Sequence, residues 1–284
     1  MEPRPDRIWA GVFGQGATRY TWHMFPRRVQ LCAVALLCVV VAATAHAAPC
    51  RSESFRGASY IVCSFDLAKD DVRIIWRDGD GRPYRTFAAV AAGIRARGQS
   101  LRFAMNGGMY DDDFRPVGLY IANGRELARV NTATRTGAPG QIPNFYKKPN
   151  GVFYIGDGKA GILATERFLA DRPKVKFATQ SGPMLVINAA IHPAFIVNSS
   201  YRKPRNGVGV SSPTRVHFVI TAGWVRFYDF AQFFRDGLGC NNALFLDGGE
   251  ASGLYAPQLG RNDAPGHGGY GPIITVVDKV TIAR

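Results

Sequence analysis

The chain contains 284 residues, of which 46% are hydrophobic and 20% are charged. This balance supports a packed core and excludes an intrinsically disordered or fibrous protein. With 35 Lys and Arg against 21 Asp and Glu, the formal net charge is +14, which favours anionic partners of any kind. The 32 glycines and 17 prolines favour turns and short strands over long helices.

The first 47 residues have the features of a secretory signal peptide. The apolar stretch Leu31–Ala43 follows the basic pair Arg27-Arg28 and precedes Ala45-His46-Ala47, whose small residues fit a signal peptidase site. A helix of that length spans about 20 Å, which is too short for a bilayer core of about 30 Å. We therefore expect residues 1–47 to be cleaved, with Met24 as an alternative start. Residues 48–284 are predicted to be periplasmic or secreted, with no membrane span.

Three cysteines lie beyond the predicted signal peptide: Cys50, Cys63 and Cys240. Export to an oxidising compartment favours disulfides. We expect Cys50 to pair with Cys63, which closes a loop of about fourteen residues and contributes about 3 kcal/mol. Cys240 is then unpaired, and no histidine lies near it in the sequence. This favours a buried, unreactive thiol over a catalytic one.

Alternating apolar and polar residues, bounded by turn residues, predict a series of short strands. In chain order they are Tyr60–Phe65, Val72–Trp76, Leu101–Asn106, Gly118–Ala122, Gly151–Ile155, Lys174–Gln180, Met184–Asn188, Val216–Thr221, Val225–Asp229, Ala243–Asp247 and Pro272–Ile282. Asn123-Gly124 predicts a tight hairpin turn, because both residues tolerate positive φ.

Two helices are predicted among these strands. Thr86 can cap a helix whose apolar residues from Phe87 to Ile94 fall on one stripe. Asp229 can cap a second helix, rich in phenylalanine, that ends at Gly237. Strands outnumber helices and no linker divides residues 48–284. The predicted fold is therefore a single α+β domain with a mainly antiparallel twisted sheet and two or three packed helices.

Two segments share one design, in which a hydrophobic strand ends in a polar side chain followed by two glycines. They are Asn106-Gly107-Gly108 and Asp247-Gly248-Gly249. Paired glycines let the backbone approach a ligand and direct amide N–H groups at an anionic oxygen. Each segment alone is also compatible with an ordinary turn. Together they supply an amide and a carboxylate, which favours a shared site.

A basic segment lies between these two motifs. Arg202, Lys203 and Arg205 precede a glycine-spaced strand. Arg205 is the best candidate for a bidentate phosphate contact, because a guanidinium group matches two oxygens, and Arg202 is a further candidate for binding the substrate. A solvated basic loop is the alternative. Ser181 lies at a strand break, where its hydroxyl can donate to an oxygen of the ligand.

Further carboxylates leave the chemistry open. Glu250 follows Asp247 closely enough for the two to act as the paired carboxylates of a glycosidase. Asp111, Asp112 and Asp113 either form a solvated loop or bind a divalent cation. The histidines show no metal-binding spacing. We expect no required cofactor, with a divalent cation as the alternative.

Five segments occur in a fixed order over residues 50–282. They are Asn106-Gly107-Gly108-Met109-Tyr110, Pro116-Val117-Gly118-Leu119-Tyr120, Ala178-Thr179-Gln180-Ser181-Gly182-Pro183-Met184-Leu185, Arg205-Asn206-Gly207-Val208-Gly209 and Asn242-Ala243-Leu244-Phe245-Leu246-Asp247-Gly248-Gly249. This series resembles the phosphodiester glycosidase family, which includes the uncovering enzyme of the mannose 6-phosphate pathway and many exported bacterial proteins.

The resemblance implies hydrolysis of the bond between the anomeric carbon of a sugar, such as N-acetylglucosamine, and a phosphodiester oxygen. It also implies a role in exopolysaccharide or cell-surface glycan metabolism. Asn106, Ser181, Arg205 and Asp247 match the family's motifs, as do the paired glycines. Where the family often has a small or hydroxyl residue after those glycines, this chain has Glu250.

Three functions therefore remain as hypotheses. The first is an exported phosphodiester glycosidase in which Asp247, Arg205, Asn106 and Glu250 are catalytic. The second is a metal-dependent phosphodiesterase that cuts the P–O bond. The third is a module that binds anionic glycans without catalysis. A nucleic-acid partner is not expected, because no basic and aromatic recognition motif accompanies the charge.

Overall fold

The computed structural model describes residues 48–138 and 140–279, together with the isolated residues Arg19 and Thr21. Apart from those two residues, the predicted signal peptide lies outside the described residues. All of the described elements belong to one compact unit. No helix in the described ranges is both long enough and apolar enough to cross a bilayer.

The described part of the chain forms short strands and three α-helices. The strands are β1 Cys50–Phe55, β2 Ala58–Asp66, β3 Asp71–Ile75, β4 Gln99–Asn106, β5 Tyr120–Ala122, β6 Arg125–Ala128, β7 Gly151–Gly156, β8 Lys159–Ala164, β9 Phe177–Ser181, β10 Met184–Ile187, β11 Ala190–Ile191, β12 Asn206–Ser212, β13 Arg215–Thr221, β14 Asn242–Phe245, β15 Leu254–Ala256, β16 Arg261–Asn262 and β17 Ile273–Lys279. The helices are α1 Phe87–Arg95, α2 Thr165–Asp171 and α3 Phe227–Gln232.

The strands are divided among three sheets. The first sheet has the order β1-β2-β13-β12-β14-β10-β11, the second has the order β16-β15-β4-β17-β3, and the third has the order β6-β5-β9-β7-β8. Every strand pair within them is antiparallel. The predicted α+β class with antiparallel strands is confirmed, although the strands form three sheets where a single sheet was expected.

One cluster of phenylalanines joins the three sheets in the core. Phe218 of the first sheet stacks on Phe103 of the second, with ring centroids 5.3 Å apart, and meets Phe153 of the third edge-on at 5.9 Å. All three side chains are fully buried. Because aromatic rings bury large apolar areas, this contact stabilises the arrangement in which the sheets meet.

The first predicted helix is confirmed. Thr86 caps α1, and its hydroxyl accepts a hydrogen bond from the Ala89 amide at 3.1 Å. The buried stripe of Phe87, Val90 and Ile94 packs on the second sheet. The spacing of these residues follows the 3.6-residue period of an α-helix, which is why the sequence predicted the helix.

The second predicted helix begins earlier than expected. Arg226 occupies the N-cap position of α3, Asp229 lies within its first turn, and a π-helical turn continues the helix to Gly237. The predicted strand Val225–Asp229 is therefore wrong. Most of that segment belongs to the helix, whose residues Phe230, Phe233 and Phe234 pack together against the first sheet.

Several predicted turns and strands are confirmed within a few residues. Asn123 and Gly124 have φ of 50° and 77° and connect β5 to β6. The strands that the pattern missed are short or at the edges of sheets, where a clear alternation is absent; they are β1, β6, β8, β11, β15 and β16. Helix α2 was also not predicted.

The cysteines behave as expected. Cys50 and Cys63 face each other across β1 and β2 and form a disulfide with an S–S distance of 2.03 Å. Cys240 is free and buried. Burial raises the pKa of its thiol to about 12, so the thiol stays protonated and unreactive at neutral pH.

Candidate active site

The candidate site lies where strand ends from the three sheets come together. β4 of the second sheet ends at Asn106, β9 of the third sheet ends at Ser181, and β12 of the first sheet begins at Asn206. The loop after β14, which contains Asp247, completes the group. Segments far apart in the chain therefore contribute to one place in the fold.

Asn106 connects these segments. Its Nδ2 donates to the carbonyl oxygen of Asp247 at 2.6 Å, and its Oδ1 accepts from Asn206 Nδ2 at 2.8 Å and from the Gly253 amide at 2.9 Å. The side chain is fully buried. These bonds assign Asn106 to holding the Asp247 loop in place. Its predicted contact with the phosphodiester stays a prediction.

Asp247 has a free carboxyl group although its backbone is held. The residue is half-buried, and within the described ranges no ion pair involves its carboxylate. Burial raises its pKa to about 7, because desolvation disfavours the charged form. A carboxyl group with such a pKa exchanges a proton readily at neutral pH, which suits general acid–base chemistry.

Tyr110 shares the environment of Asp247. Burial and the negative charge of Asp247 raise the pKa of the Tyr110 phenol well above its usual value. The phenol donates to the Gly269 carbonyl at 3.0 Å and is hydrogen-bonded to Nε2 of His267. Since its single proton goes to Gly269, it accepts from His267. Tyr110 stood within the first glycine motif but was not predicted as a site residue.

Arg205 is buried and lacks a carboxylate partner. It is only 1% exposed, and its Nε donates to the Val225 carbonyl at 2.9 Å. Its guanidinium lies over the Phe227 ring, 3.5 Å from the centroid. Burial lowers its pKa to about 10, so the group is still charged at neutral pH. Its Nη2 has no hydrogen-bond partner among the described residues, and an anionic ligand would supply one.

Lys147 is a second cation near the same ring. Its amine lies 5.7 Å from the Phe227 centroid and donates to Asn144 Oδ1 at 2.8 Å. Burial, and next the positive charge of Arg205, lower its pKa. Within the described residues neither of these two neighbouring cations pairs with a carboxylate, which favours the binding of an anionic ligand between them. Lys147 was not predicted, because its only sequence signal is the basic pair Lys147-Lys148 in a loop without a predicted element.

Buried polar atoms without partners are concentrated here. Of the seven such side-chain atoms in the described ranges, four belong to this region: Ser181 Oγ, Arg205 Nη2, Asn206 Oδ1 and Ser252 Oγ. Neighbouring Gln180 shows the contrast, since its amide makes four hydrogen bonds within the protein. Buried polar groups are normally paired. A ligand rich in oxygen atoms would satisfy several of these groups together.

The paired glycines mainly allow close packing. A side chain at Gly108 would lie 2.3 Å from Thr179 Oγ1, and one at Gly248 would lie 2.6 Å from the Phe245 ring. The amides of Gly107 and Gly249 donate to the carbonyls of Pro272 and Pro204. Those two amides are therefore committed within the protein. The amides of Gly108 and Gly248 stay predicted ligand-binding groups.

Two predicted residues lie apart from this group. Glu250 is exposed on the 3₁₀ turn Gly249–Ala251, whereas Asp247 is half-buried. Arg202 is exposed and lines a separate cavity beside Val225. Contact of either residue with the substrate stays a prediction.

The consecutive aspartates form a loop held by arginine. Asp111 accepts from Nε of Arg115 at 3.0 Å, and Asp113 pairs with the same guanidinium at 2.6 Å. Within residues 48–138 and 140–279, no three His, Cys, Asp or Glu side chains lie close enough together to hold a metal ion. The arrangement of this loop agrees with the solvated alternative.

Within the described residues, the fold and the site define an α+β protein with a buried arginine and a carboxyl group, neither in an ion pair, where three antiparallel sheets meet. Residues 99–276 match the model of the phosphodiester glycosidase family, and this match covers more than half of the chain. The chain therefore belongs to the phosphodiester glycosidase family.

Two relatives are similar to this chain. The uncharacterized protein YigE of Escherichia coli K12 is 37% identical over 177 residues, which cover 62% of this chain and 66% of YigE. The catalytic domain of zebrafish N-acetylglucosamine-1-phosphodiester alpha-N-acetylglucosaminidase, auto-inhibited by its pro-peptide, has a similar structure with a TM-score of 0.55. That likeness covers 80% of this chain and 81% of the zebrafish domain at 14% identity, and it supports the fold alone.

Proposed function

We propose that the protein is an exported hydrolase that cleaves the C1–O bond of a glycosyl phosphodiester, such as an N-acetylglucosamine-1-phosphodiester. The observation that carries this proposal is the buried guanidinium of Arg205, whose Nη2 has no hydrogen-bond partner within the described residues. Membership of the phosphodiester glycosidase family supports it further. The Cys50–Cys63 disulfide and the predicted signal peptide support export, and we propose a role in exopolysaccharide or cell-surface glycan metabolism.

Arg205 and Lys147 would bind the phosphodiester. A guanidinium group can donate to two oxygens of one phosphate, and the Lys147 amine adds a second positive charge. Neutralising the phosphate makes it a better leaving group, because negative charge accumulates on its oxygen as the C1–O bond breaks. The cations therefore contribute to catalysis as well as to binding.

Asp247 would act at the sugar carbon. In the proposed step the C1–O bond breaks, its electron pair leaves with the phosphate, and C1 develops positive charge that the carboxylate stabilises or attacks. An oxygen atom from water then bonds to C1. The water proton passes to a carboxylate whose pKa of about 7 lets it accept and release a proton at neutral pH. All bonds and protons in this step are accounted for with one carboxylate, so the step does not require Glu250.

Hydrolysis in ¹⁸O-labelled water tests the proposal. The protein is incubated with an N-acetylglucosamine α-phosphodiester, with and without EDTA, and both products are weighed by mass spectrometry. We expect the label in the released sugar and an equal rate with the chelator. Label in the phosphate, together with loss of activity in the presence of EDTA, would identify a metal-dependent phosphodiesterase. No turnover of this substrate, combined with salt-sensitive glycan binding, would favour the non-catalytic module.

A further inference from the structure

A cavity of about 180 Å³ lies between the β1–β2 hairpin and the start of α3. Three arginines, Arg56, Arg202 and Arg226, line it together with the carboxylate of Asp229 and the ring of Tyr60. This is the cavity in which the structure places Arg202, apart from the cations around Phe227. Its lining is therefore predominantly positive.

The charges in this cavity are only partly compensated. Arg226 lies 3.6 Å from Asp229 and donates through Nε to the Ser199 carbonyl at 2.7 Å. Arg56 and Arg202 form no ion pair within the described ranges. Arg56 interacts electrostatically with Asp236, but Arg235 already pairs with that carboxylate at 2.7 Å. Two positive charges are left without an anion.

Tyr60 supplies a buried donor without an acceptor. The residue is 1% exposed, and its ring stacks on Phe233 with centroids 4.0 Å apart. Within residues 48–138 and 140–279, its hydroxyl group has no hydrogen-bond partner. Burial, and next the charge of Asp229, raise the pKa of the phenol to about 12, so it keeps the proton that it would donate. Burying an unpaired hydroxyl group costs free energy, which an acceptor in the cavity would recover.

The cavity adjoins the candidate active site. Val225 lines it, and the carbonyl of Val225 accepts the hydrogen bond from Nε of Arg205. We infer that the cavity is a second anion-binding site, in which the Tyr60 hydroxyl and the Arg56 and Arg202 guanidinium groups bind a phosphate or carboxylate group. Two sources supply this chemistry: a free anion, or a second anionic group on the leaving alcohol of the substrate, and the latter rests on the proposed function.

Titration calorimetry with inorganic phosphate tests the site without requiring catalysis. At low ionic strength, where charges are least screened, we expect Tyr60→Phe to weaken phosphate binding roughly threefold to tenfold, as for the loss of one hydrogen bond. Arg202→Gln should weaken it at least as much. Because the hydroxyl has no partner in the protein, Tyr60→Phe should fold with an equal or higher Tm.

Arg82→Gln is the matched control, since it removes a 79% exposed arginine outside the cavity. We expect this variant to bind phosphate like the wild type. Equal affinity in the wild type and both cavity variants would overturn the inference. An equal weakening in Arg82→Gln would overturn it as well, because the effect would then reflect overall surface charge.

Two substrates distinguish the sources of the anion. One N-acetylglucosamine α-phosphodiester carries a neutral alcohol, and the other carries an alcohol with an added carboxylate. If the cavity binds a substrate group, the charged alcohol lowers KM and Arg202→Gln removes that advantage. If it binds a free anion, the two substrates have equal KM values and Arg202→Gln changes both equally. Phosphate binding is then still weakened by Tyr60→Phe. Failure to cleave either substrate would count against the proposed function, while the calorimetry would decide the cavity independently.

Discussion

Arg205 concentrates the features expected of a residue that acts on a ligand. It is a buried, charged side chain that packs on an aromatic ring and leaves Nη2 unpaired. A structural arginine at this depth would normally have a carboxylate partner. The missing negative charge is what a phosphodiester would supply.

Replacing Arg205 should abolish most of the activity. We expect Arg205→Ala to lower kcat/KM by roughly 10²- to 10³-fold, because it removes stabilisation of the charge that develops on the leaving group. Arg205→Lys should also lose activity, since an amine cannot make the two parallel bonds of a guanidinium. Steady-state kinetics on the phosphodiester measures both effects. The control, Lys159→Ala, removes an exposed cation in the β7–β8 hairpin and should keep wild-type rates. Wild-type rates in Arg205→Ala would contradict the proposed role of Arg205 in stabilising the leaving group.

Asp247 should make stability depend on pH. Its pKa is about 7 in the folded protein and about 3.9 in an unfolded chain. Between these values the unfolded chain binds fewer protons, so stability falls as pH rises from about 4 to about 7 and stays lower above. Asp247→Asn cannot ionise. We therefore expect it to be inactive, to match the Tm of the wild type near pH 4, and to exceed it by several degrees at pH 8.

Thermal unfolding scans across this pH range measure the effect. Asp278→Asn is a suitable control, because that carboxylate is about half exposed, 3.6 Å from Nε of Arg102, and contributes little to stability. A wild-type Tm that rises from pH 4 to pH 7 relative to Asp247→Asn would contradict burial as the cause of the raised pKa.

At the scale of the elements, the described strand ends divide into those whose polar side chain is hydrogen-bonded within the protein and those whose polar side chain has no partner among the described residues. Asn106, at the end of β4, accepts hydrogen bonds from Asn206 and from the Gly253 amide and donates one to the Asp247 carbonyl, which holds the Asp247 loop. Ser181, at the end of β9, is equally buried but has no partner. Substitutions at the two positions should therefore have opposite signatures.

Asn106→Ala removes the acceptor of the buried Gly253 amide and the donor to the Asp247 carbonyl, and it leaves Asn206 Nδ2 only its 3.3 Å bond to the backbone carbonyl of residue 106. We expect a loss of roughly 2–4 kcal/mol in the free energy of unfolding and a large fall in kcat, because Asp247 loses its support. Ser181→Ala should leave the Tm within about 2 °C of the wild type and lower kcat/KM by roughly tenfold. Denaturant titration and kinetics on both variants test this. A stability loss in Ser181→Ala as large as that in Asn106→Ala would contradict the division.

At the scale of the whole molecule, the disulfide ties the first described strand to the first sheet. Replacing Cys50 and Cys63 by serine should cost about 3 kcal/mol, equivalent to a Tm decrease of roughly 6–12 °C for a protein of this size. Reductant should lower the Tm of the wild type by a similar amount and leave the double variant unchanged. Equal Tm values for oxidised and reduced wild type would show that the bond contributes little stability. Buried Cys240 is present in both proteins and serves as the internal control.

Much of the fold was predictable because local patterns record local structure. The stripe after Thr86, the Asn123-Gly124 turn and most central strands follow from periodicities that depend on neighbouring residues. The predicted start of α3 was wrong because phenylalanine is common in buried strands as well as in buried helices, so the residue type did not distinguish the two. Which strands share a sheet was not predictable, since pairing between distant segments depends on the packing of the whole chain.

Residue type and short spacing were enough to predict the class and the disulfide, which the structure confirms, and they also predict Arg205 and Asp247 as the leading candidate site residues. Only the tertiary structure decided that Asn106 positions Asp247, that Lys147 joins Arg205, and that Arg202 lines another cavity. These outcomes depend on where loops from three sheets meet. That meeting is set by the burial of an aromatic core shared among the sheets, a long-range property that no local pattern records.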